Sequence, residues 1–304
     1  MKEHLIWMDG KLVPYSRARV HVLSHSLQYG TAVFEGIRCY KTPAGPAVFR
    51  LGEHCSRLVR SASVIGMKIP YSAQQIAEAI KQTVRANRGA DCYIRPLAYF
   101  EDVGFGMDTR KYRAHLAIAL IPQKAYFDDK PEARGLRCKI SRWKRIDPRS
   151  VPLEAKVSGY YINSVLGKLD ALNSGYDECI MLNYEGHVSE GSAENIFVVK
   201  GRKLVTPSLK CGILPGITRD TVMHIARDLG YHVAEKEMKP DELYSADEVF
   251  MTGTAAEIAH VSEIGGRKIA KGKSGPVTCR IACEFEKIVY GKSARYKEWL
   301  TLVK

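Results

Sequence analysis

The chain has 304 residues, 45% hydrophobic and 26% charged, which is the balance of an ordinary globular protein long enough to bury a sizeable core in two domains. No apolar run approaches membrane-spanning length and the first residues, MKEHLIWMDGKLVPY, hold no leader-like apolar stretch, so no membrane association and a cytoplasmic setting are expected. A net charge of +13 raises the question of nucleic acid, but the densest basic stretches, 141–149 and 266–273, are short and sit in no recognisable nucleic-acid module, so solvated basic surface is expected and no nucleic-acid partner.

In chain order, LIWMDGKLVP reads as a hairpin turning at Asp9-Gly10, and VFEGIRCYKTPAGPAVFR as another with a loop through Pro43-Ala44-Gly45-Pro46. EHCSRLVRSASVIGM and SAQQIAEAIKQTVRANRG carry apolar residues at helical spacing, the second ending at Gly89. DCYIRPLAYF and RAHLAIALIP read as strands. The polar stretch that follows, stiffened by Pro122 and Pro131, reads as a linker. These signals predict a smaller domain over 1–121, a linker over 122–134 and a larger domain over 135–304. In the latter GLRCKISRW, ECIMLNYEGHVSEG, ENIFVVKGRKLVTP and DEVFMTGT are strand-like, with turns at Glu185-Gly186 and Gly201-Arg202. YYINSVLGKLDALNSG, TRDTVMHIARDLG and VTCRIACEFEKIVYG are helical. The order is α+β without the strict alternation of a doubly wound parallel sheet, and no GxGxxG or GxxxxGK[ST] is present. Eight scattered cysteines with no CxxC predict free thiols; Cys279 and Cys283 could share a helix face, but two residues do not make a zinc site, and no metal is expected.

The chemistry centres on LPGITR (214–219). Pro215 and Gly216 break the preceding structure and a helix starts beside Thr218, whose first N–H groups have no intrahelical partners and favour an anion. Alone, the motif reads as an ordinary helix start, because such starts far outnumber phosphate sites. Lys156, in VPLEAKVSGYY, is flanked by small and apolar residues, and desolvation favours the neutral amine that attacks an aldehyde. A phosphate seat with a lysine nucleophile suggests pyridoxal phosphate, whose ring nitrogen needs an acid; Glu190, in the turn SEGSAEN, is the candidate.

From His21 to Gly291 the chain resembles the fold-type IV pyridoxal-phosphate aminotransferases, and specifically the bacterial branched-chain amino acid aminotransferases. The matching segments, in order, are HVLSHSLQYGTAVFEGIRCY, EHCSRL, YIRPL, EAKVSGYY, SEGSAENIF, LPGITRD and DEVFMTGTAAEI. The resemblance implies the two-domain α+β architecture of the D-amino acid aminotransferase type and pyridoxal 5'-phosphate as cofactor. It makes Lys156 the Schiff-base lysine and proton carrier, Glu190 the pyridine-nitrogen partner, and Arg57, Ile217, Thr218 and Thr254 phosphate contacts. Tyr161 stands near the ring oxygen. Phe34, Gly36, Tyr126 and Tyr161 match the pocket for branched side chains, and Tyr29 and Met107 match residues lent by a neighbouring subunit. Tyr93, Thr254 and Ala255 match receivers of the α-carboxylate, and Arg95 matches the cation for the distal carboxylate of glutamate, which a planar guanidinium can grip bidentately. The implied reaction passes the amino group of L-leucine, L-isoleucine or L-valine to 2-oxoglutarate, giving the 2-oxo acid and L-glutamate. The implied assembly is at least a homodimer, with a hexamer built as a trimer of dimers left open. D-amino acid transaminase, R-amine transaminase and 4-amino-4-deoxychorismate lyase are the rivals of the same fold type. The chain departs from many relatives after the lysine, where Tyr160 precedes Tyr161 and bears on the substrate side.

Overall fold

The computed structural model describes residues 4–121 and 134–304, which form two compact units. In the first, β1 (Leu5–Met8) and β2 (Lys11–Pro14) form the expected hairpin about Asp9-Gly10. Next come α1 (His25–Tyr29), β3 (Val33–Phe34), β4 (Ile37–Thr42), β5 (Gly45–Phe49), α2 (Leu51–Val64), α3 (Ala73–Ala86), β6 (Cys92–Phe100) and β7 (Ala114–Ile121). With the short C-terminal strand Leu300–Leu302 they build one antiparallel sheet, ordered C-terminal strand, β5, β4, β6, β7, β1, β2, with β3 also on β6. The β4–β5 turn is tighter than the sequence suggests: Gly45 and Pro46 already pair with Thr42 and Lys41. The apolar faces of α2 and α3 explain why both helices form. Leu51, Cys55, Leu58 and Ala62 from one and Ile76, Ala79, Ile80 and Val84 from the other share a core with Ile37, Val48, Ile94, Leu116 and Ile118 of the sheet. Ser72 and Gln75 start α3 with a capping box.

The second unit holds β8 (Leu136–Ile140), α4 (Tyr161–Leu172), β9 (Glu178–Ile180), β10 (Asn195–Lys200), β11 (Lys203–Pro207) and α5 (Ile217–Asp228). After these come β12 (His232–Lys236), α6 (Pro240–Tyr244), β13 (Glu248–Gly253), β14 (Glu257–Ile264), β15 (Arg267–Lys268) and α7 (Pro276–Val289), whose residues from Lys287 on are counted with the first unit. Its sheet runs β12, β11, β10, β13, β14, β8, β9, with β15 on β14, and mixes parallel pairs (β11/β12, β14/β8, β8/β9) with antiparallel ones. Leu136, Ile180, Val188, Ile196, Val198, Val249, Met251 and Val261 meet in its core. The architecture is α+β, as expected. The strand expected across ECIMLNYEGHVSEG stops at Ile180, and a single bridge, Leu182 to Val188, closes the turn beyond it. SEGSAEN is therefore a loop delivering Glu190, folded on itself by the Gly191 N–H donating to the Glu194 carbonyl (2.7 Å).

Two segments that the sequence assigns to the larger domain fold with the first unit instead: Ala155–Tyr160 and Lys287–Lys304. Main-chain bonds are the reason for the former, because Ser158 N–H donates to Ala32 O (2.8 Å), Gly159 N–H to Gly30 O (3.0 Å) and Phe34 N–H to Lys156 O (3.2 Å). The Arg50 N–H donating to Trp299 O (2.7 Å) and the pairing of Leu300–Leu302 with β5 hold the latter. No helix among the described residues is long and apolar enough to cross a membrane.

Candidate active site

In the first unit the lysine is fixed through its backbone before its side chain does anything. Lys156 N–H donates to the hydroxyl of Ser61 in α2 (3.0 Å), and Val157 bridges Val33. The half-buried side chain then carries its Nζ to 4.9 Å from the centre of the Phe34 ring. Arg95, on β6, reaches the same ring, its Cζ 4.7 Å from the centre, and donates through Nη2 to the Tyr93 hydroxyl (3.0 Å). Arg95 Nε is buried and has no partner among the described residues, an unused donor suited to an anionic group. Gly36 lies directly against Tyr93, whose hydroxyl a Cβ there would overlap.

Arg57, in the middle of α2, is buried, and burying a guanidinium demands a partner. Glu35 supplies it: Arg57 Nε and Nη2 donate to its two oxygens at 2.6 and 2.9 Å, and His54 Nδ1 lies 2.7 Å from Oε2. Burial pushes the Glu35 carboxyl up, but the charges of Arg57 and His54 and their hydrogen bonds overcome it and hold the group well below the usual carboxylate range. Burial pushes His54 down, opposed by Glu35. Sequence reasoning found Arg57 and missed Glu35, His54 and Ser61. Glu35 and His54 stand inside the quoted motifs FEG and EHCSRL, but nothing in spacing shows that a strand-end carboxylate faces α2.

In the second unit Glu190 is buried and surrounded by donors. Arg145 Nη2 lies 3.0 Å from Oε1, while Asn195 Nδ2 and the Leu214 N–H each donate to Oε2 at 3.1 Å. Asn195 also donates to the Leu214 carbonyl (3.0 Å), so one amide ties the Glu190 loop to the start of LPGITR. This revises the reason for Gly216: a Cβ there would overlap the Asn195 amide oxygen, so the glycine admits the protein's own clamp. Gly216 is the N-cap of α5 and no side chain caps that end; Ile217 and Thr218 follow as buried first-turn residues. Arg219 turns away, donating to Thr206 Oγ1, the Pro207 carbonyl and Glu235. Thr254 and Ala255 form the half-buried turn between β13 and β14, and Tyr161 begins α4. Arg145 and Asn195 are the residues that the sequence reading missed here.

Tyr29 and Met107 belong to the first unit and are exposed, 39% and 70% respectively. Tyr126, and most of the expected linker, lie outside the described residues. The described residues hold no group of histidines, cysteines and carboxylates fit for a metal, and all eight cysteines are free.

Residues 32–264 match the family model described as amino-transferase class IV, and the chain belongs to that family. It is 42% identical over 303 residues to the branched-chain-amino-acid aminotransferase of Pseudomonas aeruginosa, covering 100% of this chain and 98% of the relative. Among solved structures it resembles the branched-chain aminotransferase from the thermophilic archaeon Thermoproteus uzoniensis with norvaline, at 46% identity and TM-score 0.95 over 100% of both chains. It is similar in fold, too, to the T.th. branched-chain amino acid aminotransferase complexed with N-(5'-phosphopyridoxyl)-L-glutamate, at 44% identity and TM-score 0.94 over 100% of both chains.

Beneath the Glu190 loop lies a second buried carboxyl. Burial, then the charge of Glu178, pushes Glu194 up from 4.5 to about 8, against the Ala193 N–H and Lys168, which favour its ionised form. Below about pH 4.5 the group is protonated in both folded and unfolded chains; between 4.5 and about 8 the unfolded chain ionises it and the folded chain does not, so stability falls as pH rises through that window. Glu194→Gln is expected to match the parent in urea unfolding below that window and to exceed it above by roughly 2–4 kcal/mol. A difference that does not change with pH would contradict the assignment.

Proposed function

We propose that the protein transfers the amino group of L-leucine, L-isoleucine or L-valine to 2-oxoglutarate, releasing the 2-oxo acid and L-glutamate in two half-reactions on one pyridoxal 5'-phosphate. The observation that carries this reading is the Phe34 ring, which has a lysine amine 4.9 Å and an arginine guanidinium 4.7 Å from its centre. A nucleophilic amine, an apolar wall and a carboxylate-binding cation thus converge on one side chain, as a substrate that is apolar in one half-reaction and doubly acidic in the other requires. The names of the relatives, one of them complexed with a phosphopyridoxyl-glutamate, support the same substrates.

The residues fit the cofactor by their donor sets. Glu190 presents a carboxylate held by a guanidinium and two N–H groups, the uncapped start of α5 offers backbone N–H groups with the Thr218 hydroxyl, and Arg57 is a buried cation. Bound pyridoxal phosphate supplies an aldehyde and an electron sink. Lys156 would hold it through its amine and would carry a proton at the substrate Cα. Glu190 would be the acid beside the pyridine nitrogen. Arg57, Ile217, Thr218 and Thr254 would hold the phosphate, and Tyr161 would stand near the ring oxygen. Tyr93 and Ala255, with Thr254, receive the α-carboxylate. Phe34, Gly36, Tyr126 and Tyr161 line the side-chain pocket, and Arg95 takes the distal carboxylate.

The working unit is a homodimer in which Tyr29 and Met107 complete the neighbour's pocket. An exposed apolar surface on the first unit supports this: Val22, Leu27, Val103, Phe105 and Met107 are all more than half exposed, Phe105 by 81%. Eight free cysteines fit a reducing, cytoplasmic setting.

Lys156→Ala is expected to retain cofactor noncovalently, lose the visible absorbance band and lose transamination by more than about a thousandfold. Wild-type turnover by this variant would sink the proposal. Chiral analysis of leucine formed from 4-methyl-2-oxopentanoate and L-glutamate should show the L product; D-leucine would redirect the reading to the D-specific branch.

A further inference from the structure

His25 is fully buried in the first unit, and nothing in the chemistry above uses it. Its surroundings are unusual in what they join. Nε2 lies 3.0 Å from the carbonyl of Gly106, the residue before Met107, and since a carbonyl only accepts, Nε2 carries the proton. Nδ1 lies 2.8 Å from the Thr31 hydroxyl. The ring tilts against Tyr29 at 4.6 Å between centroids, and is held from other sides by Tyr112 (5.1 Å) and Phe100 (6.2 Å). The backbone repeats the connection: His25 N–H donates to Asp102 O (3.2 Å), and Ser24 bridges Val103. One imidazole therefore touches both elements that carry an outward-facing pocket residue, stacking on Tyr29 and hydrogen-bonding the main chain beside Met107.

We infer that His25 is a positioning residue for the neighbouring copy's substrate pocket: it sets the spacing between Tyr29 and the 103–107 segment, and so governs how tightly the other subunit holds a branched side chain. This rests on the dimeric reading above. The physical case is that Tyr29 and Met107 are both exposed on their own chain, so nothing on their outward side fixes them, and order must come from behind. A ring bonded through both nitrogens and packed by aromatics on several sides supplies that order, whereas α1, at five residues, is too short to be rigid alone.

The two amide variants separate the bonds, because asparagine reaches where Nδ1 lies and glutamine where Nε2 lies. His25→Asn, which loses the Gly106 bond, is expected to raise KM for L-leucine roughly tenfold with kcat within about threefold, and His25→Gln, which keeps that bond and loses the one to Thr31, to raise KM only about threefold. The deciding arm is a hybrid dimer of one His25→Asn chain and one Lys156→Ala chain, co-expressed with different tags. Its one working lysine sits in the chain carrying the substitution, but its pocket is completed by the chain with His25 intact, so the KM for L-leucine should return to the parent value. A KM that stays raised in the hybrid, or that is unaltered in His25→Asn, overturns the inference. Where His25→Asn is not recovered folded, the isosteric Thr31→Val removes the Nδ1 partner and should raise KM about threefold, again restored in the hybrid. A parent protein inactive toward L-leucine would overturn the proposed reaction itself, an outcome distinct from an active parent insensitive to these changes.

Discussion

A charged group taken out of water has to be met by partners, and in each unit one such carboxylate sits among the candidate site residues. In the first, Glu35 lies at the end of β3 and is completed by Arg57 and His54 from α2, so strand and helix cannot shift without exposing an unpaired charge. In the second, Glu190 is met by Arg145, Asn195 and the Leu214 N–H, drawn from three separate stretches of chain. These pairs are poor sources of net stability, because desolvation consumes much of the Coulomb gain. Their value is placement: Arg57 and Glu190 are each left with one direction to face.

Loops carry two of the main candidate site residues, and the same logic explains their order. Lys156 and Glu190 both lie outside regular elements, and each is tied back by hydrogen bonds to residues distant in sequence, Lys156 through Ser61 and Phe34, Glu190 through Arg145 and Leu214. Asn195 goes further by holding Glu190 and the Leu214 carbonyl together. One clamp therefore ties the Glu190 loop to the stretch that leads into α5. Glu194 lies buried in the same loop, where burial and the charge of Glu178 disfavour its ionised form.

Periodicity made much of the fold legible. The helices over 51–64, 73–86 and 217–228 and the hairpins at Asp9-Gly10 and Gly201-Arg202 show in apolar spacing and turn residues, because local preference and tertiary burial agree there. Strands such as EIAHVSEI and HVAEK escaped, since the first owes part of its setting to β8, far back in the chain, and the second is a largely exposed edge strand held by β11. The same limit applies to the site. Lys156, Glu190, Arg57 and Thr218 are visible as motif residues, while Glu35, Ser61, Arg145 and Asn195 touch the first three of them across 5 to 95 positions and His54 acts through Glu35, which spacing alone cannot reveal. The fold membership of Ala155–Tyr160 was hidden for that reason too, being set by main-chain bonds to Gly30, Ala32 and Phe34.

The central claim is that one site passes an amino group from a branched-chain L-amino acid to 2-oxoglutarate. Absorbance titration of the cofactor-loaded protein tests it directly, because transfer of an amino group to the cofactor would bleach its visible band. The account predicts bleaching by L-leucine, L-isoleucine, L-valine and L-glutamate, recovery of the band on adding 2-oxoglutarate, and no bleaching by D-leucine. A band that ignores the L-amino acids, or responds only to D-amino acids or simple amines, would contradict it.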